Sequence, residues 1–183
     1  RGTDCVACPA GYFGNLTGLS NETCNGACPP GSHSYRYATK CQDCEAGKHA
    51  PNASMEDCVA CNDAKGLTPS ADATSCLCLA GRYRDAKGEC ALCGEGMECS
   101  EVGVDIATLS LKKGFWRQDA DTSDVIECPF QDACNNVTCA EGNEGVLCAV
   151  CSEGYYRPNP TGACEVCLSS SEAWTLFVFG ALG

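Results

Sequence analysis

Six pairs of cysteines stand at C-x2-C spacing: Cys5/Cys8, Cys41/Cys44, Cys58/Cys61, Cys90/Cys93, Cys148/Cys151 and Cys164/Cys167. Thiols in that pattern hold a tetrahedral metal ion, cycle as a redox couple, or close into structural disulfides. Cys41, Cys44, Cys58 and Cys61 have the spacing of a four-thiolate zinc site. The pairs Cys24/Cys28 and Cys76/Cys78 break that spacing, and His33 and His49 are the sole imidazoles. A thioredoxin-like redox site needs a βαβ scaffold, for which the chain has no pattern. Four N-x-S/T acceptors, at Asn15, Asn21, Asn52 and Asn136, lie in polar stretches between cysteines, where a glycan would face water. The expected chemistry is therefore disulfide formation in an oxidising compartment, with no metal and no cofactor. It takes in Cys5, Cys8, Cys24, Cys28, Cys41, Cys44, Cys58, Cys61, Cys76, Cys78, Cys90, Cys93, Cys99, Cys128, Cys134, Cys139, Cys148, Cys151, Cys164 and Cys167.

The composition says why cross-links are needed. The chain has 183 residues and 20 cysteines, while Leu, Ile, Val and Phe together number 29, five of them beyond position 173. That apolar content is too small to offset the conformational entropy of a conventional globular domain of this length. A doubly wound sheet or an α/β barrel is excluded. The net charge is -12, from 24 acidic and 12 scattered basic residues, with Lys112-Lys113 the one adjacent basic pair. This balance argues against nucleic acid and against an anionic membrane face.

The positioning element is a repeat, C-x-x-G. It begins at Cys8, Cys28, Cys44, Cys78, Cys93, Cys139 and Cys151, and an aromatic follows several copies, as at Tyr12-Phe13, Tyr83 and Tyr155-Tyr156. The pattern predicts a tight turn just after a cross-linked cysteine, with glycine in a conformation that other residues resist and the aromatic covering the disulfide. Residues 1–98 read as tandem cysteine-rich modules, with candidate strands at Tyr35 to Thr39, Gly81 to Arg84 and Gly88 to Leu92 and no long helix. Two disulfide topologies use the cysteines sensibly. A serial ladder joins Cys8 to Cys24, Cys28 to Cys41, Cys44 to Cys58, Cys61 to Cys76 and Cys78 to Cys90, and leaves Cys5 without a local partner. A crossed scheme joins Cys5 to Cys24, Cys8 to Cys28, Cys41 to Cys58 and Cys44 to Cys61. The turns at the head of each loop favour the ladder, but spacing leaves both open.

Residues 99–127 form an insert, free of cysteine from position 100 onward. Val102, Val104 and Ile106 alternate, as do Leu109 and Leu111, before Gly114-Phe115-Trp116-Arg117, which suggests a β-hairpin. Trp116 is expected to be a local core residue. Asp119, Asp121 and Asp124 alternate like calcium ligands but lack the glycine and final Glu of an EF-hand loop, so a solvated loop is expected. The dense pattern resumes over 128–167, where Cys151 is expected to pair with Cys164, leaving Cys167 for a partner outside the ladder. The tail, 168–183, ends in the uncharged run Trp174 to Gly183 and reads as the outer end of a membrane-spanning helix with Trp174 at the interface, or else as a short apolar strand packed on a partner. A chain that starts at Arg1 without Met reads as a fragment or processed product.

No catalytic constellation is evident. His33 and His49 lie in polar turns and are expected to face solvent. Glu95 and Glu98 lack a cleft to push their pKa values apart, and nothing presents a serine on a strained elbow.

The units Cys8-Pro9-Ala10-Gly11-Tyr12 and Cys28-Pro29-Pro30-Gly31 resemble the cysteine-rich modules of ephrin-receptor-like, growth-factor-receptor-like and tumour-necrosis-factor-receptor-like ectodomains. Ser75-Cys76-Leu77-Cys78-Leu79-Ala80-Gly81-Arg82-Tyr83 resembles the second half of an EGF-like unit. Gly114 to Arg117, Cys128-Pro129, Cys134 and the run Gly145 to Tyr156 are similar to the block just outside the membrane in large cysteine-rich surface proteins of algae, oomycetes and other protists. The resemblance implies a small disulfide-rich fold, an elongated tandem array of EGF-like or tumour-necrosis-factor-receptor-like modules with short β-ribbons and little helix. The expected function is a non-catalytic extracellular stalk or ectodomain of a membrane protein, at the cell surface, spacing or mediating protein–protein contacts. Its partners would be proteins or neighbouring subunits, with the membrane reached through the C-terminal segment and no nucleic acid. A secreted structural subunit of a filament or cell covering is the first alternative, and a ligand-binding receptor module the second.

Overall fold

A computed structural model describes residues 7–16, 24–136 and 138–167. Cys5, Asn21 and the tail 168–183 lie outside the described residues. Ten two-stranded antiparallel hairpins follow one another along the chain, most of their strands two residues long, with three single 3₁₀ turns and no α-helix among the described residues. Strands this short cannot hold a hairpin closed alone. Among the described residues nine disulfides brace them: Cys8–Cys24, Cys28–Cys41, Cys44–Cys58, Cys61–Cys76, Cys78–Cys90, Cys93–Cys99, Cys128–Cys134, Cys139–Cys148 and Cys151–Cys164. The first five are the serial ladder, and the crossed scheme is absent. Cys167 is exposed and has no disulfide partner among the described residues.

The repeat works through its glycine. In all seven C-x-x-G turns the glycine has φ between 76° and 85°, the left-handed region. In several of them its carbonyl accepts the N–H of the residue that closes the hairpin, as in Cys28 to Gly11, Cys44 to Gly31 and Cys61 to Gly47. The leading strand starts on the next residue, which is why it falls at Ser32–His33 and not at Tyr35 to Thr39. Tyr35 and Tyr37 are exposed in a turn, and Tyr37 itself has φ 69°. β-propensity pointed to the tyrosines; the turn glycine set the register. The other two expected strands appear as the paired Arg82–Arg84 and Cys90–Leu92.

Two compact units divide the chain: Arg1–Ala91 with Ser100–Val104, and Leu92–Cys99 with Asp105–Gly183. In the first, successive turns dock on later loops. Gly11 N–H donates to Ser34 O and Gly31 N–H to Ala50 O, both at 2.8 Å. The Ser70–Thr74 loop that faces Gly31 is knotted by Asp72, whose carboxylate accepts from the Ser70 hydroxyl at 2.6 Å and from the Thr74 hydroxyl and N–H. The Ser70 bond and the two from Thr74 hold the Asp72 pKa below 3.8. A carboxylate depressed in this way supports its loop fully above the unfolded pKa, and the support is lost as pH falls through the folded value. A carboxyl-carbon NMR titration is expected to place the Asp72 midpoint below 3.8, and the Asp72→Asn variant to lose this acid step.

In the second unit one core cluster is built round disulfide cysteines. Cys128, Ala133, Cys134 and Cys148 are buried together, with Trp116, Phe130 and Cys139 packed on them. The insert over 99–127 is not one self-contained hairpin. Ser110–Leu111 pairs back with Met97–Glu98, and Phe115–Trp116 pairs forward with Ile126–Glu127. Val102 to Ile106 forms no strand. Its alternating residues are divided between the units: Gly103 N–H and Val104 O bond to Cys78 and Arg84 in the first, while Ile106 and Leu109 are buried in the second. Rings cover the turns here. A Cβ on Gly96 would strike the Phe115 ring and one on Gly142 the Tyr155 ring. Gly142→Ala is therefore expected to cost about 1–2 kcal/mol for the left-handed backbone alone. Displacement of Tyr155 should show in the same denaturation experiment as a changed tyrosine fluorescence.

Candidate functional site

The four cysteines with zinc-like spacing go to three different disulfides, Cys28–Cys41, Cys44–Cys58 and Cys61–Cys76, so they do not converge as one metal site. Nine structural disulfides are the signature of a chain matured in an oxidising compartment.

The histidines are not solvent-facing. His33 is 6% exposed and His49 is half-buried. Both stand second after a turn glycine, the position that holds Phe13, Tyr83, Trp116 and Tyr156 in other copies of the hairpin. They fill the ring slot of the repeat. His33 Nδ1 lies 3.1 Å from Glu56 O, and the ring meets Tyr35 edge-on at 5.2 Å. A carbonyl can only accept, so Nδ1 carries a proton here. His49 Nδ1 is 3.0 Å from Val59 O and also close to the sulfurs of Cys61 and Cys76. Aligning the turn glycines puts both imidazoles at the position where other copies carry a ring, but does not show the burial that the next loop brings.

Arginine supplies what sequence reasoning missed. Arg117 is 1% exposed and has no carboxylate partner. Its Nη1 donates to Ile106 O at 2.8 Å, Ala120 O at 2.9 Å and, at 3.4 Å, Thr122 O, while Nη2 donates to Leu109 O at 2.8 Å. Nε has no partner. Burial pulls the guanidinium pKa below its ordinary value, and the charges of Asp119 and Asp121 work the other way. The acidic loop thus has its carbonyls gathered by a cation from inside, while Asp119, Asp121 and Asp124 remain exposed, as a solvated loop requires. Trp116 is half-buried against the disulfide cluster of its own unit. Arg157 is a second brace: its guanidinium lies 3.5 Å over the Phe130 ring and donates to Gly162 O, Ala149 O and Asn143 Oδ1. In the first unit Arg84 reaches Cys76 O and Gly88 O, and Arg82 reaches Cys90 O.

Of the glycan acceptors, Asn15 and Asn52 are exposed. Asn136 is half-buried at φ 60°, and its Oδ1 accepts the Leu111 N–H at 2.9 Å. A shallow cavity of about 700 Å³ in the second unit is lined by Glu127, Gln131, Asp132 and Leu147, among others. Gln131 Nε2 already donates to Glu127 there and Asp132 is paired with Lys113 at 2.7 Å, so its charged groups are largely committed. On the rim of the neighbouring hairpin, Tyr155 donates to Glu141 at 3.2 Å, which raises the tyrosine pKa.

The arrangement defines a class, a cysteine-rich chain of small, disulfide-closed β-hairpins. Residues 125–167 match the model of a family described as a domain of unknown function (DUF7630). Comparison with curated proteins finds no match.

Proposed function

We propose that the chain is a non-catalytic extracellular stalk or ectodomain of a membrane protein that spaces or mediates protein–protein contacts. The observation that carries this reading is the succession of disulfide-closed loops, each 6 to 16 residues in span. Such a chain keeps its shape without a large apolar core and offers proteases little slack backbone. Four of its arginines are turned onto backbone carbonyls, which leaves an acidic surface suited to basic partners and ill suited to phosphate. The exposed acceptors Asn15 and Asn52 support a secretory route. The uncharged run Trp174 to Gly183 supports membrane attachment; among the described residues no helix is long and apolar enough to cross a membrane.

The test uses cells that make the full-length protein. An antibody to the hairpin region should label them without permeabilisation, glycosidase should lower the apparent mass, and the protein should stay in the membrane pellet after carbonate extraction. Cytosolic retention with free thiols defeats the proposal. Exposed Cys167, unpartnered among the described residues, favours the second reading, a secreted structural subunit bonded to its neighbours. Carbonate-soluble protein that runs as covalent oligomers on non-reducing gels selects that reading.

A further inference from the structure

In the first unit His49 stands against the Cys61–Cys76 disulfide, and the three side chains together offer chemistry beyond closing the loop. His49 Nδ1 lies 3.2 Å from Cys76 Sγ and 3.6 Å from Cys61 Sγ. All three ligand atoms fall within 4.8 Å of one another, the one such group of His, Cys, Asp or Glu side chains among the described residues. A tyrosine or phenylalanine in this slot would only cover the disulfide. An imidazole places a nitrogen against both sulfurs.

We propose that the Cys61–Cys76 disulfide is a reducible gate, and that its opening by a dithiol creates a zinc site of two thiolates and one imidazole. The geometry is nearly built. Zn–S distances of about 2.3 Å and Zn–N of about 2.0–2.1 Å set the N···S edges of a tetrahedron at about 3.6 Å and the S···S edge at about 3.8 Å. The two N···S distances already span the first figure. The remaining requirement is that the sulfurs part, which reduction itself brings about. The site would keep one coordination position for water or an outside ligand.

The steps balance. One thiolate of the reductant attacks Cys76 Sγ, on the more exposed residue of the pair, since Cys61 is 8% exposed and Cys76 half-buried. Cys61 leaves as a thiolate, stabilised by the Nδ1–H of His49. The second thiol of the reductant then displaces Cys76, and the reductant departs as its own disulfide. Two electrons and two protons have passed to the chain. Metal binding releases the two thiol protons, and the imidazole proton moves from Nδ1 to Nε2, giving up the bond to Val59 O. A donor held against both sulfurs favours the charged, reduced form over the neutral disulfide, so this bond should open before its neighbours.

The experiment uses the full chain, with dithiothreitol as reductant and Co²⁺ as the spectroscopic stand-in for zinc. After limited reduction, alkylation of one portion and peptide mapping should find Cys61 and Cys76 the first disulfide-bonded cysteines to be labelled, with the other disulfides intact. The portion left unalkylated should take one Co²⁺ and show thiolate-to-metal charge transfer. His49→Phe keeps a ring in the slot, as other copies of the repeat do. It should slow the opening of Cys61–Cys76 and weaken Co²⁺ binding at least about tenfold. The proposal is overturned if another disulfide opens first in the wild-type chain, if the reduced chain takes no Co²⁺, or if His49→Phe binds it as tightly.

Discussion

Arg117→Met is expected to unfold the Leu109–Asp124 region of the second unit while the first unit keeps its stability. The substitution retains an apolar stem of similar reach and removes every donor. It leaves the carbonyls of Ile106 and Leu109 buried without partners, and those of Ala120 and Thr122 partly so. Two buried acceptors at about 1–3 kcal/mol each put the loss at roughly 3–5 kcal/mol once the outer pair is included. Relief of the buried charge acts in the opposite direction, since burial already pulls the Arg117 pKa down. It does not cancel the loss, because the carbonyls remain where they are. Arg117→Lys should recover part of the stability, as one ammonium cannot span Leu109 O and the Ala120–Thr122 side together. Hydrogen exchange of amides 105–126 together with denaturant titration measures both variants. Unchanged protection in Arg117→Met would show that the guanidinium is a passenger.

The same hairpin leads to the second large effect, because no disulfide joins its two sides. In the hairpins of Cys28, Cys44 and Cys151, the first cysteine stands four residues before the leading strand. The second stands two residues before the cross-strand partner of that strand's first residue. Phe115 pairs with Glu127, so the equivalent positions are Leu111, which is buried, and Val125, which is half-buried. The double substitution Leu111→Cys with Val125→Cys is expected to close a further disulfide. A loop of this length should add about 3 kcal/mol. Placed on Arg117→Met, it should restore protection across 115–127, because the two devices hold the same loop by different means. Peptide mapping decides the matter: free thiols at both positions in the oxidised chain would refute the register argument.

These two results explain what each brace does. In the hairpins of Cys28, Cys44 and Cys151 a covalent bond closes the loop and the side chains need only cover it. Between Leu111 and Val125 no bond exists, and a buried cation collects carbonyls from the acidic loop and from the segment before it. The flanking disulfides, Cys93–Cys99 and Cys128–Cys134, are both short, with a sequence separation of 6. They shut the neighbouring turns without tying them to this hairpin.

Residue spacing by itself determined that the frame is covalent and narrowed its first half to two topologies. Too little apolar surface demanded cross-links, and the glycine turns pointed to serial closure, because a bond between residues 12 to 16 apart is a local event that neighbouring sequence can specify. The hairpin of Arg82–Arg84 with Cys90–Leu92 was legible for the same reason. Only the tertiary structure decided which groups the frame would bury. His33 and His49 looked like turn residues until the slot they fill was closed by the following module. Val102 to Ile106 looked like a strand, yet its backbone bonds and its apolar side chains are shared out between two units. Arg117 looked like one scattered cation among 12 basic residues. Its role depends on carbonyls contributed by Ile106, Leu109, Ala120 and Thr122, and hydrogen-bond satisfaction in a folded interior is a property of neighbours in space, which periodicity along the chain does not encode.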